Sequence, residues 1–224
     1  MSLIQHIFKD HGDAYLEAFG DRVPDAHAKA LRAIRNCRSG ALGRHVFQCS
    51  ECGERASANS SCGDRHCPVC QNDKAAEWVR RQEEKLLPCG YFLATFTVPE
   101  GPRQVFRAHQ RVLYAALFDC AAASLRTLEA DERFVGCDAS GFFGVLHTWG
   151  RQLQYHPHVH FVIPGGGLSK DRESWLSSKN GFLVHVRALS KMFKGKLRAA
   201  LDEAGLIDQI PPEAWFRKWV VHCK

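Results

Sequence analysis

The sequence predicts an α+β protein in two parts, a helical and cysteine-rich N-terminal domain followed by an antiparallel sheet with helices packed on it. Apolar residues recur at helical spacing over residues 3–36, and six of the ten cysteines lie within residues 37–70. Further along, short runs of β-forming residues alternate with long helical patterns. We therefore expect one domain at residues 1–88 and a second at residues 89–224.

The composition is that of a folded protein rather than a disordered or membrane-embedded one. Of the 224 residues, 45% are hydrophobic and 24% are charged, and no apolar run approaches the ~20 residues that span a bilayer. The N-terminus lacks the long apolar core of a signal peptide, so we expect a cytoplasmic protein whose cysteines bind metal or lie buried. A formal net charge of +6 is compatible with a nucleic-acid partner but does not demonstrate one.

The N-terminal segment predicts two helices. Leu3, Ile4, Ile7 and Phe8 form an apolar face at helical spacing. Gly20 marks the expected end of the first helix. Pro24 lies near the start of the second, because proline is tolerated in the first turn.

The cysteine-rich segment carries two Cys-x-x-Cys pairs, Cys49 with Cys52 and Cys67 with Cys70. A short turn between two cysteines directs both thiolates to one Zn²⁺, and the segment has too few large apolar residues for a core of its own. With the neighbouring cysteines and histidines there are as many candidate ligands as two tetrahedral sites need. These candidates are Cys37, His45, Cys49, Cys52, Cys62, His66, Cys67 and Cys70. We expect one or two structural zinc ions here.

The spacing leaves the division of these ligands open. The division that we favour gives both Cys-x-x-Cys pairs to one zinc and the other four ligands to a second. A sequential division, with the first four ligands on one metal and the last four on the other, is an alternative. A single zinc with spare thiols is another, because His66 directly precedes Cys67 and ligation by both is awkward.

A helix is expected at residues 72–87, with Asn72 or Asp73 as its cap and Pro88 after its end. Several cations on it are candidates for phosphate contacts. Glutamates are interspersed among these cations, so a solvated, salt-bridged helix is an equally good interpretation.

The second part predicts strands and helices in a regular order. A strand at residues 91–98 precedes a long helix at 103–129, and a strand at 141–150 turns into a histidine-bearing strand. The remaining expected elements are a strand at 182–186, a helix at 188–204 and a strand at 219–223.

The histidine-bearing strand contains His156, His158 and His160 at alternate positions, followed by an apolar run and three glycines. Residues two apart share one face of a strand, so His158 and His160 are expected to present two imidazoles to one divalent metal. Pro157 has no N–H for a central ladder, so we expect the strand to begin at His158 and to leave His156 in the preceding turn. The alternative is that the two histidines line a polar sheet face.

Taken together, these features resemble a known family. The order of strand, long helix, hairpin with His-hydrophobic-His, strand and helix is similar to the HUH nuclease fold. Leu146-His-Thr-Trp-Gly-Arg-Gln-Leu-Gln-Tyr-His-Pro-His-Val-His160, the three-glycine exit, Cys49-Ser-Glu-Cys-Gly53 and Arg65-His-Cys-Pro-Val-Cys-Gln71 resemble the rolling-circle transposases of the IS91 insertion-sequence family. The resemblance extends over nearly the whole chain.

The resemblance implies a bacterial enzyme that nicks single-stranded DNA at transposon ends. In that family Mg²⁺ or Mn²⁺ sits on the two histidines, and a tyrosine on a later helix attacks the scissile phosphate. The metal neutralises charge that develops on the phosphate oxygens. Candidate DNA-binding cations are Arg65, Lys74, Arg80, Arg81, Lys191 and Lys194.

The sequence departs from the family at the nucleophile. The family's paired tyrosines follow a strand similar to residues 219–224, where this sequence stops. The four tyrosines present, Tyr15, Tyr91, Tyr114 and Tyr155, are poor substitutes, although Tyr155 adjoins the histidine motif. We therefore expect a transposase incomplete at its C-terminus that binds zinc and DNA but does not nick. The third metal ligand is unassigned, and His147 is expected near the pair.

The sequence is compatible with three function classes. The first is a single-stranded DNA transesterase that is complete only with a C-terminal part. The second is a non-catalytic, zinc-dependent DNA-binding module. The third is a hydrolase in which metal-bound water is the nucleophile, but no Asp or Glu lies beside the histidine motif to act as base.

Overall fold

The structure, a computed structural model, describes residues 2–179 and 181–224. The chain forms two compact units, one ending at Leu86 and the other beginning at Leu87. Both contain helices and antiparallel strands, which confirms the α+β class. Among the described residues, no helix is long and apolar enough to cross a membrane.

The first unit surrounds a small buried centre. Its elements are α1 (Leu3–Phe19), α2 (Asp25–Asn36), β1 (Arg44–Gln48), β2 (Arg55–Asn59) and α3 (Pro68–Glu83), with a short 3-10 helix at Gly20–Arg22. The Ser2 hydroxyl caps α1 by accepting a hydrogen bond from the Gln5 amide. The buried Gln5 side chain in turn donates to the Cys37 carbonyl oxygen at 2.6 Å. This bond ties α1 to the residue that follows α2.

Two features of the first unit differ from the sequence-based expectation. The helix expected from residue 72 begins at Pro68, so neither Asn72 nor Asp73 caps it. Proline suits the first turn because its missing N–H has no partner there, and Cys67 occupies the cap position instead. The β1–β2 hairpin was not expected at all, since its strands are short and largely exposed.

The second unit is built on one larger sheet. Its elements are β3 (Tyr91–Thr97), α4 (Arg103–Ala108), α5 (Gln110–Glu129), β4 (Phe143–Trp149), β5 (Tyr155–Pro164), β6 (Gly166–Leu168), β7 (Trp175–Ser177), α6 (Val186–Glu203), α7 (Glu213–Phe216) and β8 (Val221–Cys223). A short 3-10 helix lies at Ile207–Gln209. The main sheet is antiparallel in the order β4-β5-β3-β8, and β6 pairs with β7 separately. The histidine-bearing strand β5 is therefore a central strand.

The two faces of this sheet have different environments. Along β5, Val159, Phe161 and Ile163 are buried in the core with apolar residues of α5 and α6. The ring of Phe96 on β3 packs edge-on against Phe161 and against Phe193 of α6, with centroids 6.0 and 5.0 Å apart. The alternate residues of β5 carry the histidines, which lie on the face away from this core.

The strand expected at residues 182–186 is not formed. Leu183 and Val184 are buried without strand pairing, and α6 begins at Val186. The ring of His185 caps α6 by accepting a hydrogen bond from the Arg187 N–H at 3.2 Å. A short apolar run here belongs to the entry of a helix rather than to a strand.

The long helix expected at residues 103–129 is divided into α4 and α5 at His109, which has φ −118° and ψ +43°. The three-glycine exit of β5 is explained by close packing. A Cβ added at Gly167 would lie 2.6 Å from the Ala139 carbonyl oxygen, so a larger residue would displace backbone.

Candidate metal centres

Four cysteines of the first unit meet at one point. Their sulfurs lie within 4.8 Å of one another, and that of Cys70 is 3.5 Å from Cys37 and 3.6 Å from Cys62. Four thiolates at the usual Zn–S distance would stand about 3.8 Å apart on a tetrahedron. Cys67, the fourth member, is completely buried. The group fits one structural zinc ion.

The thiols differ in how their surroundings shift the pKa. Burial raises the pKa of Cys37 and raises that of Cys62 to about 12. Burial also acts to raise the pKa of Cys70, but hydrogen bonds from Cys37 and other neighbours outweigh it and lower that pKa to about 7. Cys70 thus ionises more readily than Cys37 and Cys62.

The division of ligands that we favoured from spacing is wrong. The hairpin brings its two ends together, because the Arg38 amide donates to the Ser60 carbonyl oxygen at 3.1 Å. Cys37 and Cys62 flank those ends and meet the Cys67–Cys70 pair at the start of α3. Spacing along the chain contains no sign of this hairpin, so it could not reveal the pairing.

The other candidate zinc ligands lie outside this group. Cys49 and Cys52 are exposed at the tip of the β1–β2 hairpin, where Gly53 turns with φ +74°. His45 is exposed on β1. His66 directs its Nδ1 at the Asp64 carboxylate, 3.0 Å away. None of the four joins a three-ligand group among the described residues.

Three histidines of the second unit form another group. In the strand register His158 faces His147 of β4, and His160 faces Thr95 of β3. The ring centroids of the three histidines are 4.7 to 5.1 Å apart, and one nitrogen of each lies within 4.8 Å of the others. The sequence placed His147 near the pair, and the structure includes it as a full member of the group.

Strand β5 begins at Tyr155 rather than at His158, which corrects the expectation for His156. The register shifts between His147, which faces His158, and Trp149, which faces Tyr155, so a β-bulge accommodates Pro157. The ring of His156 then lies 5.3 Å from that of His158. Its Nδ1 is buried and has no hydrogen-bond partner within the described chain.

Hydrogen bonds orient two of the three imidazoles. The Nδ1 of His158 lies 2.7 Å from the His156 carbonyl oxygen, which only accepts, so Nδ1 carries the proton and Nε2 has a free lone pair. The Nδ1 of His160 lies 2.9 Å from the Thr95 hydroxyl oxygen. Ligand histidines are commonly held in this way by their second nitrogen.

The electrostatic environment favours the neutral form of His147 and of His160. Burial, followed by the charge of His158, lowers the pKa of His147 and of His160. Neutral imidazole nitrogens suit divalent transition metals, whereas Mg²⁺ prefers oxygen ligands. The donor set therefore fits Mn²⁺ better than Mg²⁺.

None of the three tyrosines of the second unit faces the histidine group. The hydroxyls of Tyr155 and Tyr114 are 2.8 Å apart, and both rings pack against the core on the helical side of the sheet. Burial raises the pKa of Tyr155, and its hydrogen bond to Tyr114 adds to this effect. The Tyr91 hydroxyl accepts from the Leu87 amide at 2.6 Å, and Tyr15 lies in α1 of the first unit.

The candidate DNA-binding cations fall into two sets. Arg80 and Arg81 pair with Glu84 and Glu77 along α3, which matches the salt-bridged alternative, and Lys194 donates to the Trp215 carbonyl oxygen at 2.9 Å. The other candidates are exposed and make no ion pair within the described chain: Arg65, Lys74 and Lys191.

Two family models match this chain. A family model described as "Transposase zinc-binding domain", that of IS91 transposases, matches residues 7–98, and one described as "Putative transposase" matches residues 141–224. The chain belongs to the IS91 family of transposases. A "Putative transposase" of Sinorhizobium fredii is 41% identical to this chain over 201 residues, which are 90% of this chain and 50% of that protein.

Two further similarities are more distant. The transposase of insertion sequence element IS801 from Pseudomonas savastanoi pv. phaseolicola is 31% identical over 148 residues, which are 65% of this chain and 35% of that protein. The chain thus spans half or less of these curated relatives. A structure of the conjugative relaxase TrwC in complex with oriT DNA aligns with 50% of this chain and 44% of its own, at 20% identity and a TM-score of 0.39.

Proposed function

We propose that this chain supplies the zinc-binding and histidine-bearing parts of a transposase that acts on single-stranded DNA at transposon ends. The observation that carries the proposal is the three-histidine group on the open face of the sheet, in a chain of this family. No Asp or Glu belongs to that group among the described residues, which argues against a hydrolase with an acidic base. We place this activity in the bacterial cytoplasm.

Each residue of the group has a part in this proposal. His158 and His160, with His147 as the third ligand, hold a divalent metal that neutralises charge on the scissile phosphate when bound. The His156 carbonyl and the Thr95 hydroxyl keep the two rings in place. The exposed cations Arg65, Lys74 and Lys191 are available for the DNA backbone.

The attacking hydroxyl is not one of the tyrosines of this sequence. Tyr155 is the nearest along the chain, but its hydroxyl is bonded to Tyr114 on the helical side of the sheet. The resistance of this buried hydroxyl to ionisation makes it a poor nucleophile. We therefore propose that these 224 residues bind single-stranded DNA without cleaving it.

The test combines binding and cleavage. The chain is incubated with labelled single-stranded oligonucleotides and Mn²⁺, followed by a denaturing gel and by binding measurements over a range of salt concentrations. We expect binding that weakens steeply with salt and no covalent protein–DNA band. A covalent band that disappears on changing one tyrosine would show that the nucleophile lies in this chain. Absence of binding at low salt would reject the proposal.

The second candidate is a non-catalytic DNA-binding module that depends on zinc alone. The placement of the tyrosines favours it. The variant His158→Ala/His160→Ala distinguishes the two. If DNA binding depends on zinc alone, Mn²⁺ does not change the affinity of the wild type, and the variant binds DNA as tightly as the wild type. In the transposase proposal, Mn²⁺ strengthens DNA binding by the wild type and has no effect on the variant.

A further inference from the structure

An exposed indole lies beside the histidine group. Trp149 is the last residue of β4, and 54% of its surface is exposed. Its ring stacks on that of His147, with centroids 5.5 Å apart and planes inclined by 17°. The stack leads from the candidate metal ligands directly to a solvent-exposed aromatic surface.

Single exposed aromatic residues are common, so exposure alone would mean little. Trp149 differs in position, because its stacking partner belongs to the three-histidine group. A phosphate bound at that group would place the base of an adjoining nucleotide near the indole. An exposed aromatic ring beside a phosphate-binding centre is the usual arrangement for holding single strands, since every base has a face that stacks.

The segment after Trp149 is suited to hold the ring. The bulge that follows His147 shifts the register, so that Trp149 faces Tyr155. The adjoining turn is closed by a hydrogen bond from the Gly150 amide to the Gln154 carbonyl oxygen at 2.9 Å. A fixed ring forfeits less conformational entropy on binding than a mobile one.

We propose that Trp149 forms a nucleobase subsite, stacking on the base next to the phosphate that binds at the histidine group. This inference rests on the proposed function. The subsite takes any unpaired base, because stacking requires no particular hydrogen-bonding edge. The ligand is a single strand, since a base paired within a duplex does not offer its face.

The test separates the contribution of the bases to binding from that of the DNA backbone. Binding is measured in Mn²⁺ with an oligothymidylate of about 12 nucleotides, a usual length for one single-strand surface, and with an abasic oligomer of equal length. Trp149→Ala is expected to weaken oligothymidylate binding about tenfold, the loss typical of one stacked base. Binding of the abasic oligomer should be unchanged. Trp149→Phe should recover most of the affinity.

Trp175→Ala is the matched control. Trp175 is also an exposed tryptophan, but it lies on β7 in a separate sheet, and its removal should leave both affinities unchanged. Equal losses for both oligomers in Trp149→Ala would overturn the subsite, because they would mean that Trp149 only supports His147. Unchanged oligothymidylate binding in Trp149→Ala would overturn it as well. If the wild type binds neither oligomer, the proposed function itself fails.

Discussion

The two metal centres differ in what holds their ligands in place. In the first unit, the buried cluster around the thiols contains only Ile34, Cys37 and Cys67 within the described residues, so ligands form much of the core. In the second unit, the sheet that carries the histidines is backed by a core of 29 buried residues among those that the structure describes. Small units with little core need metal to fold, whereas a packed sheet holds its side chains without it.

This difference indicates that the two metal centres have different roles. The cysteine group would hold a zinc ion that stabilises the first unit, and its four thiolates would leave that ion no free position. The histidine group offers three nitrogens, which would leave positions on a bound divalent metal open for a phosphate oxygen. We therefore propose a closed structural site in the first unit and an open, metal-binding site in the second.

The largest expected effect comes from removing the structural zinc. Cys67→Ser, or a strong chelator, should unfold the first unit, because its buried centre is made of ligands. We expect rapid proteolysis before Leu86 and protection of the fragment that follows it, measured by limited digestion and mass spectrometry. Cys49→Ser is the control, since Cys49 is exposed at a hairpin tip and should leave the digestion unchanged. If the first unit stays folded after chelation, its fold does not depend on zinc, and the proposed difference between the two units is wrong.

A smaller effect is expected for an orienting residue of the histidine group. Thr95→Val removes the hydroxyl beside His160 Nδ1 and should weaken Mn²⁺ binding by about 10-fold to 100-fold with little change in stability. Titration calorimetry measures the affinity and thermal unfolding the stability. Thr97→Val is the matched control on the same strand, because the Thr97 hydroxyl makes no hydrogen bond within the described chain. Equal losses in both variants would show that the Thr95 contact is unimportant.

The smallest effect concerns the pH dependence of stability in the second unit. Glu129 is buried, its Oε2 accepts from the Ser140 hydroxyl and its Oε1 has no partner in the described chain. Burial raises its pKa above the ordinary value of 4.5. The folded state therefore binds this proton more tightly than the unfolded chain does. The stability that this proton contributes is fully present at pH values below the pKa of Glu129 in the unfolded chain. It is lost as the pH rises through the pKa of Glu129 in the folded state.

Glu129→Gln removes this titration. We expect the variant to match the wild type near pH 4 and to exceed its free energy of unfolding by about 1 kcal/mol at pH 8, the order of cost of an unsatisfied buried acceptor. Urea unfolding at both pH values measures the difference. Glu132→Gln, at an exposed position nearby, should change neither value. A Glu129→Gln variant that is equally destabilised at both pH values would show that burial of the charged carboxylate does not cost stability.

Patterns within single elements were sufficient to predict much of this protein. Alternation along one strand placed His158 and His160 on one face, and helical spacing located α1, α2 and α6. The resemblance of whole motifs identified the family. These predictions succeeded because side-chain direction within a strand or a helix follows directly from position along the chain.

Features that depend on contact between distant elements were missed or left open. The hairpin that brings Cys37 and Cys62 to Cys67 and Cys70 has weak local signals, so sequence spacing led to the wrong division of the zinc ligands. The bulge at Pro157 could not be foreseen either, because a bulge is defined by the partner strand.

The sequence by itself determined which residues are chemically able to bind metal and which faces of the main strands they occupy. Only the tertiary structure decided which of them meet. It selected four cysteines from eight zinc candidates, added His147 to the histidine pair and turned the Tyr155 hydroxyl toward Tyr114. The physical reason is that ligand groups form across strands and loops, where register and packing set the distances.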